Sequence, residues 1–209
     1  MKKHIIENSK KIWIAACCLI IFTALLTMVL TENIAWLDDP VRNFFYGIRA
    51  DWLTPAVKFI TYLANWETVT VICLVLLICK KTSVSYGIPA AAGALFISLF
   101  NKILKAAVQR PRPDEILHLV NEGGFSFPSG HSITSMFFYS LLIYLVRTHA
   151  KSKRQADILT AVLAVPMILV GPSRIYLGVH YPSDVLAGWS LAIMFLMIFI
   201  IIRKYRYRD

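Results

Sequence analysis

Two histidines, His131 and His180, stand 49 residues apart in an otherwise apolar chain, and each has neighbours suited to phosphorus chemistry. Asp184 follows His180 by four residues, and Tyr181-Pro182 turns the chain between them. A carboxylate so placed can hold one ring nitrogen and leave the other free to attack phosphorus. His131 comes directly after Pro128-Ser129-Gly130, a break that would expose the first amides of a helix to an anion at the positive end of its dipole. Glycine at that break lets the backbone approach the anion closely. Lys105, Arg112 and Arg174 supply cations, which suit the three peripheral oxygens of a phosphoryl group, with arginine offering paired donors. On this reading His180 is the nucleophile, Asp184 orients it, and His131 protonates the leaving oxygen and later activates water. Two-metal phosphatases need several Asp or Glu residues and zinc sites need a ligand spacing that is absent here, so metal-independent chemistry with no cofactor is expected.

The elements that must carry these residues are membrane helices. Of the 209 residues, 57% are apolar or aromatic and 16% are charged, which is far from soluble-domain composition. Apolar runs predict six spans, at about 12–30, 66–79, 84–104, 131–147, 157–176 and 183–202. The first is too long for a signal-peptide core and lacks a small-x-small cleavage site, so it reads as an uncleaved span. The second is short, and the amphipathic stretch 53–66 before it either lies in the interface or extends it. The expected fold class is all-α, an integral membrane six-transmembrane-helix bundle forming a single domain over 1–209.

An even number of spans puts both termini on one side. There fall Lys2, Lys3, Lys10, Lys11, Lys80, Lys81, Arg147, Lys151, Lys153, Arg154, Arg203, Lys204, Arg206 and Arg208, among few acids. The positive-inside tendency makes that side cytoplasmic, so the net charge of +10 needs no nucleic-acid partner. The remaining cations, Arg42, Arg49, Lys58, Lys102, Lys105, Arg110, Arg112 and Arg174, fall on the opposite side. Taken singly, each could snorkel or pair with Asp114, Glu115 or Glu122. Helix parity instead delivers Lys105, Arg112, His131, Arg174 and His180 to one outer surface, where Pro111 and Pro113 hold Arg112 on a non-helical strut.

These blocks carry a resemblance. Lys105, six residues, Arg112-Pro113; then Pro128-Ser129-Gly130-His131; then Ser173-Arg174, five residues, His180, three residues, Asp184: the pattern is similar to that of the type 2 phosphatidic acid phosphatase superfamily, which includes vanadium haloperoxidases. The resemblance implies a metal-independent lipid phosphatase working through a phosphohistidine. It also implies that Lys105, Arg112 and Arg174 bind phosphate, that Ser129 and the Gly130 and His131 amides complete the cradle, and that His131, His180 and Asp184 act as above. The role of Ser129 as a phosphate ligand rests on the family alone.

A phosphate site at the outer edge of a bundle suits an amphiphile whose tail stays in lipid. Undecaprenyl diphosphate, phosphatidylglycerophosphate, phosphatidate and lipid A phosphates all remain open as substrates, in a bacterial envelope setting that the resemblance suggests. Transfer of the phosphoryl to an acceptor other than water, and anion binding without catalysis, stand as alternatives. Asp38-Asp39-Pro40 reads as a turn or helix start, and Glu67 as an interfacial residue or a partner for a cation. Cys17, Cys18, Cys73 and Cys79 read as buried thiols without a disulfide framework. Trp13, Trp36, Trp52, Trp66 and Trp189 read as an interfacial belt.

Overall fold

A computed structural model describes the backbone of residues 2–206 and the side chains of residues 8–203. Lys2, Lys3, Lys204, Arg206 and Arg208 of the expected basic side therefore lie outside the described side chains. Eight α-helices follow one another: α1 (Lys2–Leu30), α2 (Ala35–Gly47), α3 (Thr54–Tyr62), α4 (Trp66–Ile78), α5 (Ile88–Val108), α6 (Gly130–His149), α7 (Lys153–Tyr176) and α8 (Pro182–Arg206).

Among the described residues, four stretches are long and apolar enough to cross a membrane: Asn8–Leu30, Ser83–Val108, Lys153–Tyr176 and Pro182–Arg203. The pair α3 and α4 qualifies only when taken together across a 46° bend, as a broken span or a re-entrant loop would. The outward faces of these helices are greasy, with Trp13, Ile20, Ile78 and Ile103 exposed, as expected of surface that meets lipid. α6 is less apolar, and its position explains why. It packs on α5, α7 and α8, burying Ile133, Phe137, Phe138, Leu141 and Leu145 together with Ser132 and Ser135. A helix clad by protein can carry hydroxyls that a lipid-facing helix would leave unsatisfied.

Close helix approach depends on small residues. A Cβ on Gly171 would lie 2.5 Å from Cζ2 of Trp189 and 2.7 Å from Val185, so only glycine lets α7 and α8 touch there. Trp189 is thus a packing residue, not the belt tryptophan expected from its position, whereas Trp13, Trp36, Trp52 and Trp66 are exposed. Cys18 and Cys73 are buried as expected, but Cys17, on an outward face of α1, and Cys79, just past the end of α4, are exposed. α5 begins and ends four residues later than the expected third span, preceded by a π-turn at Ser83–Gly87 and stopped by Gln109 in the left-handed region at φ 53° ahead of Pro111.

Candidate active site

The C-terminal ends of α5 and α7 and the N-terminal ends of α6 and α8 meet at one end of the bundle, where the 109–129 loop and the turn after α7 are stitched together. Leu119 N donates to Leu177 O at 2.9 Å, and Ser126 N donates to Arg110 O at 2.8 Å. Gly178 makes the turn possible: its φ is +80°, and a Cβ would stand 2.3 Å from the carbonyl oxygen of Leu117. That turn delivers His180, 1% exposed, to the first turn of α8.

The two nitrogens of His180 have different partners. Asp184 Oδ2 lies 3.2 Å from Nδ1, and Arg112 Nη1 lies 3.1 Å from Nε2. A guanidinium can only donate, so Nε2 presents a lone pair and Nδ1 carries the hydrogen. This is the tautomer a nucleophilic imidazole requires. Burial, and then the cations Lys105, Arg112, Arg174 and Arg110, hold the His180 pKa well below the ordinary histidine range, which keeps the ring neutral. Asp184, fully buried, also accepts from Ser126 Oγ and from the Tyr181 amide at 2.9 Å.

Lys105, Arg112 and Arg174 do converge with His180. Arg112 is pinned by three carbonyls: Nη1 donates to Val179 O at 2.8 Å, Nε to Gly124 O at 3.0 Å and Nη2 to Gly123 O at 2.9 Å. Lys105 Nζ donates to Phe125 O and, at 3.0 Å, to Ser126 O. Arg174, 1% exposed, donates through Nη1 to Thr61 Oγ1 at 2.9 Å, while its Nε has no hydrogen-bond partner among the described residues. Glu122 closes the cluster, pairing with Arg174 Nη2 and, at 3.5 Å, with Arg112 Nη2. The ion pair open to the arginines at the level of sequence is therefore made, and two of the three gathered cations share one internal carboxylate.

His131 and Gly130 open α6 beside this cluster. A Cβ on Gly130 would lie 3.0 Å from the Asn101 amide and 3.9 Å from Lys105 Cε, so the helix start sits against α5. Ser129 is fully buried and its hydroxyl caps α6, accepting from Ser132 Oγ at 2.8 Å and from the Ser132 amide at 3.4 Å. Its own amide donates to Asp184 O at 3.1 Å. Ser129 thus helps hold the α6 and α8 starts together.

Several partners were not apparent from residue spacing. Arg110 bridges two buried carboxylates, donating to Asp184 Oδ1 at 2.6 Å and to Asp38 Oδ2 at 2.7 Å, and its guanidinium lies 4.0 Å above the Tyr181 ring. Asp38 belongs to the first turn of α2, and its Oδ1 accepts from the Ser183 amide at 2.8 Å. It thereby caps the α8 start from a distant helix. Asn65 Oδ1 accepts from Nε2 of His131 at 2.7 Å. The doubled Arg-Pro of 110–113 was the only local hint that Arg110 had a task. Glu67 pairs with none of the gathered cations: its Oε2 is buried without a hydrogen-bond partner among the described residues.

Between α4, α5 and α6 a groove of about 660 Å³ opens on the side of the bundle. Its walls are largely apolar, including Val69, Cys73, Leu77 and Leu95, and its head reaches Gly130, His131 and Lys102.

By fold and site the chain is a helical membrane protein with a cationic, histidine-bearing cleft at one end of its bundle. The PAP2 superfamily model matches residues 86–208, more than half of the chain, and the chain belongs to that family. It is 33% identical over 183 residues to phosphatidylglycerophosphatase B of Bacillus subtilis, covering 83% of this chain and 86% of that protein. It is 32% identical to an undecaprenyl-diphosphatase of Sulfolobus acidocaldarius over 60% of this chain and 57% of that one. Its fold is similar to the crystal structure of a transmembrane PAP2-type phosphatidylglycerolphosphate phosphatase from Bacillus subtilis, with a TM-score of 0.78 at 29% identity over 93% of this chain and 96% of the other.

Proposed function

We propose that this lipid phosphatase hydrolyses a phosphate monoester or diphosphate carried by a membrane lipid, without metal, through a phosphohistidine on His180. The observation that carries the reading is the polarity of His180: Arg112 faces Nε2 as a donor while Asp184 faces Nδ1, so a neutral imidazole directs its lone pair toward the cation cluster. Nε2 attacks phosphorus, the bond to the leaving oxygen breaks, and His131 protonates that oxygen. Water, deprotonated by His131, then attacks phosphorus, the N–P bond breaks and phosphate is released. Lys105, Arg112 and Arg174 hold the peripheral oxygens together with the Gly130 and His131 amides, and the unpartnered Nε of Arg174 is a donor available to one of them. Ser129 Oγ accepts in the α6 cap, and its own O–H remains a donor for one of the phosphate oxygens.

The groove that ends on His131 suits the hydrocarbon chain of such a lipid, placing the leaving group on the side of the acid. The relatives named for phosphatidylglycerophosphate and undecaprenyl diphosphate support both substrate classes. Counting α6 and the broken α3 and α4 pair as spans gives six, with both termini cytoplasmic and the cleft at the extracytoplasmic face of a bacterial membrane.

The test is phosphate release by the purified protein in detergent with a metal chelator, using phosphatidylglycerophosphate, phosphatidate and undecaprenyl diphosphate. Release that survives chelation on at least one lipid, and leaves a trapped phosphohistidine after rapid quench, is expected. Loss of activity on chelation, or a new ester in place of free phosphate, overturns the reading.

Glu122 offers a second check on the cradle. An internal carboxylate on Arg112 and Arg174 must yield to substrate phosphate, and removing its charge leaves a buried arginine that seeks an anion. Glu122→Gln is expected to melt earlier than wild type without ligand and to gain more from added inorganic phosphate, with phosphate binding tightened about tenfold, or ~1.4 kcal/mol. Thermal unfolding in detergent across a phosphate titration measures both.

A further inference from the structure

Asn65 stands at the break between α3 and α4, with φ −64° and ψ 152°, the backbone of an N-cap. Asparagine is among the strongest N-cap residues because its side chain normally accepts from the amides two or three residues on. Here it makes no such bond to α4. The amide instead reaches 66 residues along the chain to His131 Nε2, at 2.7 Å. The break itself is held from the same partner helix, since Tyr139 Oη of α6 donates to the Leu63 carbonyl at 2.6 Å. α6 therefore grips this corner twice, two helical turns apart, and one of the two grips is on a histidine beside the cation cluster.

We propose that Asn65 is the positioning residue for the acid–base histidine, and that it governs hydrolysis of substrates with poor leaving groups. The inference rests on the reading of His131 given above. The Asn65 carbonyl oxygen can only accept, so Nε2 of His131 keeps its hydrogen and Nδ1 is the nitrogen that exchanges protons. In the first step the proton on Nδ1 passes to the leaving oxygen as that oxygen's bond to phosphorus breaks and the His180 Nε2 bond forms. In the second, Nδ1 takes a proton from water as its oxygen bonds to phosphorus and the N–P bond breaks. Through both steps the Asn65 oxygen faces the Nε2 hydrogen and stabilises the ring when it is cationic, as a neutral amide orients the histidine in Cys-His-Asn sites. The groove from lipid ends on His131 with Ala64 and Trp66, the two neighbours of Asn65, in its wall. The leaving group thus arrives on the side of this pair.

The chemistry distinguishes two substrate classes. A lipid alcohol leaving from a monoester needs a proton, whereas a lipid monophosphate leaving from a diphosphate is a stable anion in neutral water. Asn65→Leu, close in size, is expected to lower kcat/KM, which reports formation of the phosphohistidine, roughly 10- to 100-fold on phosphatidate and less than about threefold on undecaprenyl diphosphate, while the water step shared by both substrates slows equally. Asn65→Asp, which keeps an oxygen at the same reach, should restore most phosphatidate turnover. Asn65→Leu added to His131→Ala should cost nothing further, because a residue acting only through His131 has nothing left to position. Equal losses of kcat/KM on both substrates, an effect confined to lipid binding, or additive losses in the double variant would each overturn the proposal and leave Asn65 as a structural residue. If His131→Ala itself leaves phosphatidate turnover intact, the reading of His131 fails first.

Discussion

His180→Ala loses lipid phosphatase activity by about 10⁴-fold or more in kcat, because the imidazole whose Nε2 faces Arg112 of the cation cluster, with Nδ1 on Asp184, is removed. The variant should still bind inorganic phosphate, since Lys105, Arg112 and Arg174 are held by carbonyls, Thr61 and Glu122 rather than by the imidazole alone. A thermal shift with phosphate that persists while turnover vanishes separates lost chemistry from lost folding. Full turnover in His180→Ala rejects the nucleophile assignment. The pH profile gives a companion expectation. The His180 pKa is lowered by burial first and by Lys105, Arg112, Arg174 and Arg110 after it, so the free enzyme keeps a neutral nucleophile as pH falls. The acid limb that His180 contributes to kcat/KM should lie below the ordinary value of about 6.5, and removing positive charge at Arg112 should move it upward.

Arg110→Met produces the largest loss of stability expected from any single change around the cleft. Its guanidinium lies between Asp38, 2% exposed, and Asp184, 0% exposed, and donates to both. Burial disfavours the Arg110 charge, yet Asp184 and Asp38 outweigh it and hold its pKa above the usual arginine value. Removing the cation leaves two buried carboxylates without the guanidinium that donates to both, and Asp38 without its ion pair. Breaking a buried pair in this way costs about 3–5 kcal/mol. Activity should fall as well, since Asp184 would lose the partner of Oδ1 and its hold on His180 Nδ1 would change. Arg110→Lys keeps the charge but not the fork that reaches Asp38, Ser183 and Asp184 together, so it should recover only part of either loss. Asp38→Asn combined with Arg110→Met removes one stranded carboxylate and should recover stability more than activity. Thermal unfolding and phosphate release on the same preparations test the assignment, and a stable Arg110→Met enzyme would show that the bridge does not matter.

Much of this molecule could be read directly along the chain. The apolar runs mark helices because backbone groups in lipid must be satisfied within the segment; α4, α6, α7 and α8 begin and end within a few residues of the expected positions, and α1 ends at the expected Leu30 but begins ten residues earlier. The pairing of His180 with Asp184 was legible because four residues across a turn and the first turn of a helix bring two side chains to one place. The convergence of Lys105, Arg112, His131 and Arg174 followed from helix parity alone.

What tertiary structure decided are the bonds that cross between elements. Arg110 meets Asp38 across 72 residues, Ser183 meets Asp38 across 145, and His131 meets Asn65 across 66. Nothing local distinguishes Asp38 from Asp39, or Asn65 from an ordinary helix cap. One carboxylate becomes a buried partner and the other a half-exposed one only because α2 lies against the α8 start with a particular rotation. The same holds for Ser129, whose hydroxyl oxygen accepts in the α6 cap, and for Glu122, which the 109–129 loop carries onto two arginines. Residue type and spacing along one element determine which groups can do chemistry. The rotation and depth at which separate helices pack determine which nitrogen of each histidine faces a donor and which faces an acceptor, and on that the division of labour we propose between His180 and His131 depends.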